Sequence, residues 1–385
     1  MNATLSRPAS STCERQGPGD LLTVVLNIWH ALLLAAVIVS LGMGAAHARD
    51  GVAGEPVAIE DVGTPGGATL CRGRDLRADL AARAPGAMQA VREAGAATPN
   101  GDARLWRITT PGGAISHLYG TMHISDPELT RLSAEAQLAY DGARLIVIET
   151  TDILDEAKAA SSLMARPELM VFTDGTTLLD YMDEEEERLL DEALRKQGMT
   201  LAAMKTFKPW MISSMLSLPS CERDREADDF LDLRLARDAV EAGREVAGLE
   251  TAVEQIEAFA GMPLDAHVDG LVDSARMGDD MDHVFATIGA LYGEGQIGEI
   301  WPFLRAAAEH LGDPADPLTE TDEAAMAAFD ERVVVRRNHV MVERALPLLE
   351  EGGAFVAVGA LHLPGEEGIV ELLRRQGLTV ERVAR

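Results

Sequence analysis

Positive charge is scarce in this sequence. Acidic residues outnumber Lys and Arg by 63 to 34, a formal charge of -29 at pH 7. Such a surface repels phosphate, which argues against a nucleic-acid-binding protein and against one that grips an anionic membrane through basic side chains. Lysine is rarer still, with 4 against 30 arginines, a bias read as compositional before any binding role. Cysteine occurs three times, as Cys13, Cys71 and Cys221, and no two lie at the spacing of a zinc cluster. The chain also lacks H-E-x-x-H, G-x-S-x-G, a phosphate-binding loop, a dinucleotide G-x-G-x-x-G and solenoid repeats.

What is present is apolar bulk: 47% hydrophobic residues in 385, enough to bury a large core as one big α/β domain or two smaller ones. At the start, Arg7 and Arg15 precede the apolar run Ala31 to Met43, followed by Ala46-His47-Ala48. That order of charge, apolar core and A-x-A reads as a secretory signal over residues 1–48, cleaved after Ala48. Its apolar character reaches back to Leu21, so membrane association through residues 21–46 as an uncleaved anchor stays open. Either way the bulk of the chain is expected in the periplasm or secreted, inner-membrane anchored if the segment is kept. Cys71 and Cys221 would remain after cleavage, and in an oxidising compartment they are expected to pair; two separately buried thiols are the alternative. Residues 49–66, rich in Gly, Pro and small residues, read as a flexible linker, and 67–385 as the folded domain.

From Leu105 the pattern changes to short apolar runs separated by helical stretches: "LWRITT", "AISHLYGTM", "ARLIVIE", "REVAGLE", "AFVAVGAL" and a closing "TVERV". The first two, split by "PGG", read as a hairpin, and the later continuous runs as strands buried on both faces. The fold expected is α/β, a central mixed, largely parallel sheet with large helical insertions at 151–247 and 251–350. Helix starts are expected at Asp126-Pro127-Glu128, at Pro364 in "LPGEEGIVELLRRQG" and at "MDEEEERLLDEALRKQG", whose acids and bases complement the helix dipole.

Four of these strands end in a residue able to bind a metal or move a proton: His123, Glu149, Glu250 and His362. Ligand sites in open α/β sheets form at the carboxyl ends of parallel strands. Two imidazoles and one or two carboxylates converging there make a first shell for Zn²⁺, Mn²⁺ or Co²⁺, leaving room for water. Gly120 and Gly359 stand three residues before the two histidines, where a missing Cβ frees the backbone or admits a neighbour. Arg337 is a candidate to orient a glutamate or a substrate oxygen, whereas Arg336 reads as solvated. His117, six residues before His123, lies about 20 Å away along a strand and is set aside.

The pieces "LYGTMHISDPEL", "LIVIETTD", "FKPWMISSML", "VAGLETAVEQIEAF" and "RRNHVMVERALPLLEEGGAFVAVGALHLPGEEGIVELLRRQGLTVERV" together resemble the TraB/GumN family, which includes the Tiki proteins. The family's two Gly-x-x-His motifs and glutamate are matched by Gly120 with His123, Gly359 with His362, and Glu149. The resemblance implies a fold like that of erythromycin esterase and the haem-binding ChaN proteins, and a divalent-metal-dependent hydrolase, a peptidase by analogy with Tiki members. Metal ligands would then be His123 and His362 with Glu149, or with Glu250 in its place, the remaining glutamate serving as general base toward a peptide or protein substrate and Arg337 orienting a glutamate or the substrate. "TLCRGRDL" and "LPSCERDRE" resemble a GumN-like subgroup, which favours pairing of Cys71 with Cys221. The alternative is a binding protein of the same fold that holds haem, metal or peptide without turning it over.

Overall fold

The computed structural model describes residues 73–220, 222, 230–312 and 319–383. The signal or anchor segment, the linker, Cys71 and Cys221 lie outside the described residues. Among the described residues no helix is long and apolar enough to cross a membrane.

Six strands form one sheet: β1 (Leu105–Thr109), β2 (Ile115–Thr121), β3 (Leu145–Ile148), β4 (Glu245–Gly248), β5 (Ala354–Gly359) and β6 (Thr379–Arg382). Their order is β4-β3-β5-β2-β1-β6. The four strands β4, β3, β5 and β2 run parallel, and β1 lies antiparallel to both β2 and β6. The sheet is therefore mixed and mostly parallel, with β1 and β2 joined as the expected hairpin. Every residue of β3 and β5 is buried, which is why both strands read as unbroken apolar runs rather than alternating ones.

Helices cover both faces. On one, α1 (Ala134–Asp141) and α2 (Leu231–Glu241) place Ala136, Tyr140, Leu235 and Ala236 against Tyr119, Ile146 and Phe355. Two further helices, α3 (Ala252–Ala260) and α4 (Leu264–Met277), follow β4. On the opposite face, α5 (Arg336–Glu350) and α6 (Ile369–Arg375) bury Met341, Ala345, Val370 and Leu373 against Leu118, Val147 and Val356. A π-helical stretch, Asp330–Val335, runs directly into α5. The acidic helix forms as expected over Glu184–Lys196, with an Asp183 and Glu186 capping box.

Two expected helix starts are corrected. At Asp126 the chain turns without entering a helix: Asp126 Oδ1 accepts from the Glu128 amide, and its carbonyl accepts from Leu129 and Thr130. The helix waits until Ser133, whose side chain caps Ala136. Pro364 likewise starts no helix, because Gly365 takes a φ of +93°, outside the right-handed helical region; α6 begins at Ile369.

Candidate functional site at the carboxyl edge of the sheet

The four parallel strands end on one edge and deliver their polar residues there. Glu149 follows β3 directly, and Glu250 stands two residues beyond β4. The Glu250 amide donates to the Glu149 carbonyl at 2.7 Å, so the two carboxylates leave the sheet side by side. His362 closes the short 3₁₀ turn Ala360–His362 after β5. His123 lies two residues beyond β2. Glycine at 120 has a packing cause: a Cβ there would come within 3.0 Å of Ala360 Cα and Cβ, in the turn that carries His362.

Arg337, from the first turn of α5, joins the two glutamates. Its Nη2 donates to Glu149 Oε2 at 2.7 Å and to Glu250 Oε2 at 2.8 Å, while Nε reaches both Glu250 oxygens at 3.1 and 3.0 Å. Nη1 donates to the carbonyl of Val333 in the π-helical stretch. All three side chains are buried, so each charge depends on the others. Gln255 of α3 donates to Glu149 Oε2 at 3.0 Å, and the Gly359 amide to Oε1 at 2.7 Å.

These contacts separate the two acids. Burial works to raise the Glu149 carboxyl, but the Arg337 charge, the two histidines and the Gly359 amide outweigh it and pull the pKa down to about 2. Burial prevails at Glu250, which is raised above the usual carboxylate value against the opposing pull of Arg337. One carboxylate is thus held ionised while its neighbour is moved toward the range of proton exchange.

His362 is fixed from the α5 side. Asn338 Nδ2 donates to the Glu367 carbonyl at 2.8 Å, which turns Oδ1 toward His362 Nδ1 at 2.6 Å. Since Oδ1 can only accept, Nδ1 carries the ring proton and Nε2 keeps a lone pair. Burial and then the Arg337 charge lower the His362 pKa to about 3, so the ring is neutral at neutral pH. That bare Nε2 faces Glu149 Oε1 at 3.9 Å. Two acceptors confront each other there across a gap suited to a cation or a donated proton.

A family model described as "TraB/PrgY/gumN family" matches residues 104–382. The chain belongs to the TraB/PrgY/gumN family. Similar curated proteins include two described as "Uncharacterized protein YbaP", from Shigella flexneri and from Escherichia coli strain K12. Each is 23% identical over 268 residues, covering 69% of this chain and 90% of the relative. No solved structure matches significantly.

In this member of the TraB/PrgY/gumN family the structure brings Glu149, Glu250, Arg337 and His362 into direct or near contact. His123 approaches from the α2 side: its Nε2 lies 3.5 Å from Asp232 Oδ2, and its ring stacks at a tilt on Phe230 at 5.3 Å. It lies near enough to Glu149 and His362 to be among the influences that lower the pKa of each. Arg336 pairs with Glu331 on the exposed surface, as its sequence context suggests. Among the described residues no group of three or more His, Cys, Asp or Glu side chains is gathered tightly enough to cage a metal. Arg337 is hydrogen-bonded to both Glu250 oxygens and to one of Glu149. The donors that still suit a divalent ion are His362 Nε2 and Glu149 Oε1, a borderline nitrogen and a hard oxygen.

Sequence reasoning missed Gln255 and Asp232. Gln255 lies inside "VAGLETAVEQIEAF", with no local sign that it faces Glu149. Asp232 did leave a signal: with Leu235, Ala236 and Ala239 it occupies positions i, i+3, i+4 and i+7, so an acid interrupts the buried stripe of α2.

Proposed function

We propose that this protein is an exported, divalent-metal-dependent hydrolase acting on peptide bonds. The observation that carries the reading is the neutral Nε2 of His362 facing the ionised Oε1 of Glu149. His362, Glu149 and His123 are the residues that would hold a Mn²⁺, Co²⁺ or Zn²⁺ ion there. Bound metal supplies an acidified water near neutral pH. The chain's own groups divide the remaining tasks: Asn338 keeps the His362 lone pair directed at the gap, Arg337 keeps Glu149 ionised, and Glu250 exchanges the proton. Family membership supports the choice of residues, because both Gly-x-x-His motifs and the glutamate are those of the TraB/GumN signature. Export rests on the N-terminal order of charge, apolar run and A-x-A, and in that compartment Cys71 and Cys221 would pair.

Elemental analysis and calorimetric titration with Mn²⁺, Co²⁺ and Zn²⁺ test the metal, and a peptide library with and without chelator tests the reaction. Stoichiometric metal is expected in the wild type and in Glu250→Gln, but not in His362→Ala, His123→Ala or Glu149→Gln. Chelator-sensitive cleavage should vanish in all four variants. Folded His123→Ala and His362→Ala proteins that keep one metal per chain would refute the shared centre. Metal or peptide retained with no cleavage would make the protein a binder of the same fold.

A further inference from the structure

Arg104 stands immediately before β1 and is partly buried. Its carbonyl accepts from the Gly120 amide at 2.8 Å, which sets it beside the glycine of the first Gly-x-x-His motif. Its guanidinium lies over the ring of Tyr292, 4.5 Å from the centroid, and 5.8 Å from the centroid of Tyr119. Tyr292, on the helix Met281–Glu294, donates its hydroxyl proton to the Gly120 carbonyl at 3.0 Å, so one tyrosine supports both the motif and the arginine. Among the described residues no carboxylate and no carbonyl accepts a hydrogen bond from this guanidinium. The ionisable groups that act on it are Tyr292 and Tyr119, not an Asp or Glu. Other partly buried arginines are satisfied by the main chain: Arg234 donates to the Thr130 carbonyl and Arg244 to that of Tyr140. In a chain with 63 acidic residues, a sheltered guanidinium fork that none of them meets is matched to a carboxylate from outside.

We propose that Arg104 forms a carboxylate-binding subsite of the candidate site, taking the terminal carboxylate or an acidic side chain of a peptide a few residues from the bond that is cut. The proposal rests on the peptide hydrolase put forward above, whose substrate it narrows. Sheet register sets the reach. Arg104 is level with Gly120, Gly120 with Val358 of β5, and β1 lies two strands from β5. Two strand spacings are about 10 Å, the length of about three residues of extended peptide. A substrate laid across the sheet edge from His362 toward β1 therefore brings to Arg104 a carboxylate about three residues from the gap between His362 and Glu149. The planar guanidinium can meet both oxygens of that carboxylate at once. Its face already rests on Tyr292, so little side-chain freedom is lost when the anion binds.

The test is calorimetry on the metal-free protein with N-acetylated tetraalanine as the free acid, as the C-terminal amide, and as an amide in which one alanine is glutamate. The wild type should bind one of the carboxylate-bearing peptides about ten-fold more tightly than the tetraalanine amide. A preference for the free acid assigns the subsite to a chain terminus, and a preference for the glutamate amide assigns it to a side chain. Arg104→Gln should bind all three peptides alike. Arg104→Lys, which keeps the charge but not the fork, should retain part of the preference, and it serves if the glutamine protein does not fold. Equal affinity of the wild type for the three peptides, or no binding of any of them, would overturn the proposal, as would a preference that substitution of Arg104 leaves undiminished. If the preference depends on Arg104 but no chelator-sensitive cleavage is found, the hydrolase fails and the subsite stands; cleavage indifferent to a substrate carboxylate sinks the subsite alone.

Discussion

Arg337 is the residue on which the candidate site turns, because it sets one positive charge between two buried carboxylates. Removing it leaves those charges uncompensated in a site with almost no access to water. Arg337→Met is therefore expected to destabilise the fold by about 3–5 kcal/mol in a urea melt, the range for breaking a buried ion pair from one side. Arg337→Lys should recover only part of the loss, since an ammonium cannot reproduce the fork that meets three carboxylate oxygens. Gly359 supports a second expectation. Its φ of -51° suits any residue, so the glycine is there for space: a Cβ would meet Glu149 Oε1 at 3.2 Å and His362 Cδ2 at 3.4 Å. Gly359→Ala should wedge the two apart and, if the proposed metal is bound there, weaken its binding on the order of ten-fold, with the melting transition little changed. The sequence exposed Glu149, Glu250 and His362 because a strand that ends in a polar residue marks itself. Gln255 left no sign and Asp232 only an acid within a buried stripe, because each reaches the site from a helix and only the tertiary arrangement says which strand end that helix covers.

At the scale of elements, what was legible followed the rigidity of the local code. Apolar runs with β-branched residues gave all six strands, and the acidic helix formed where Asp183 and Glu186 make a capping box. The stretch after His123 misled because Asp-Pro-Glu suits a helix start and a tight turn equally well, and the local hydrogen bonds of Asp126 favour the turn. Helix α4 provides a prediction in pH. His267 on α4 is buried with Nε2 3.0 Å from the Phe259 carbonyl, and burial lowers its pKa from 6.5 to about 4. Below 6.5 the unfolded chain takes up a proton that the folded chain refuses. The stability owed to the neutral ring is thus complete above pH 6.5 and declines as pH falls toward 4, by roughly 1.4 kcal/mol per unit at most. Melting curves at pH 7 and pH 5 should show this decline, and His267→Gln, whose amide can still donate to Phe259, should flatten it.

At the scale of the whole molecule, charge and topology have separate consequences. A net charge of -29 implies self-repulsion that the many exposed Arg–carboxylate pairs do little to offset, since such pairs contribute roughly 0–1 kcal/mol each. Raising ionic strength from about 0.01 M to about 0.1 M shortens the screening length from roughly 30 Å to 10 Å. The melting temperature should rise over that range; a fall would mean that the surface ion pairs outweigh the repulsion. Topology acts on how the molecule is made. Strand β5 lies between β2 and β3 yet begins at Ala354 of 385 residues, so the centre of the sheet is the last of its parallel strands to be synthesised. Until the ribosome has released that segment, β2 and β3 face each other across an empty lane with bare hydrogen-bonding edges. Glu149 meanwhile has no His362 facing it. A nascent or prematurely terminated chain is therefore sticky, so interrupted synthesis should yield material for chaperones and proteases rather than a partly assembled, soluble fragment.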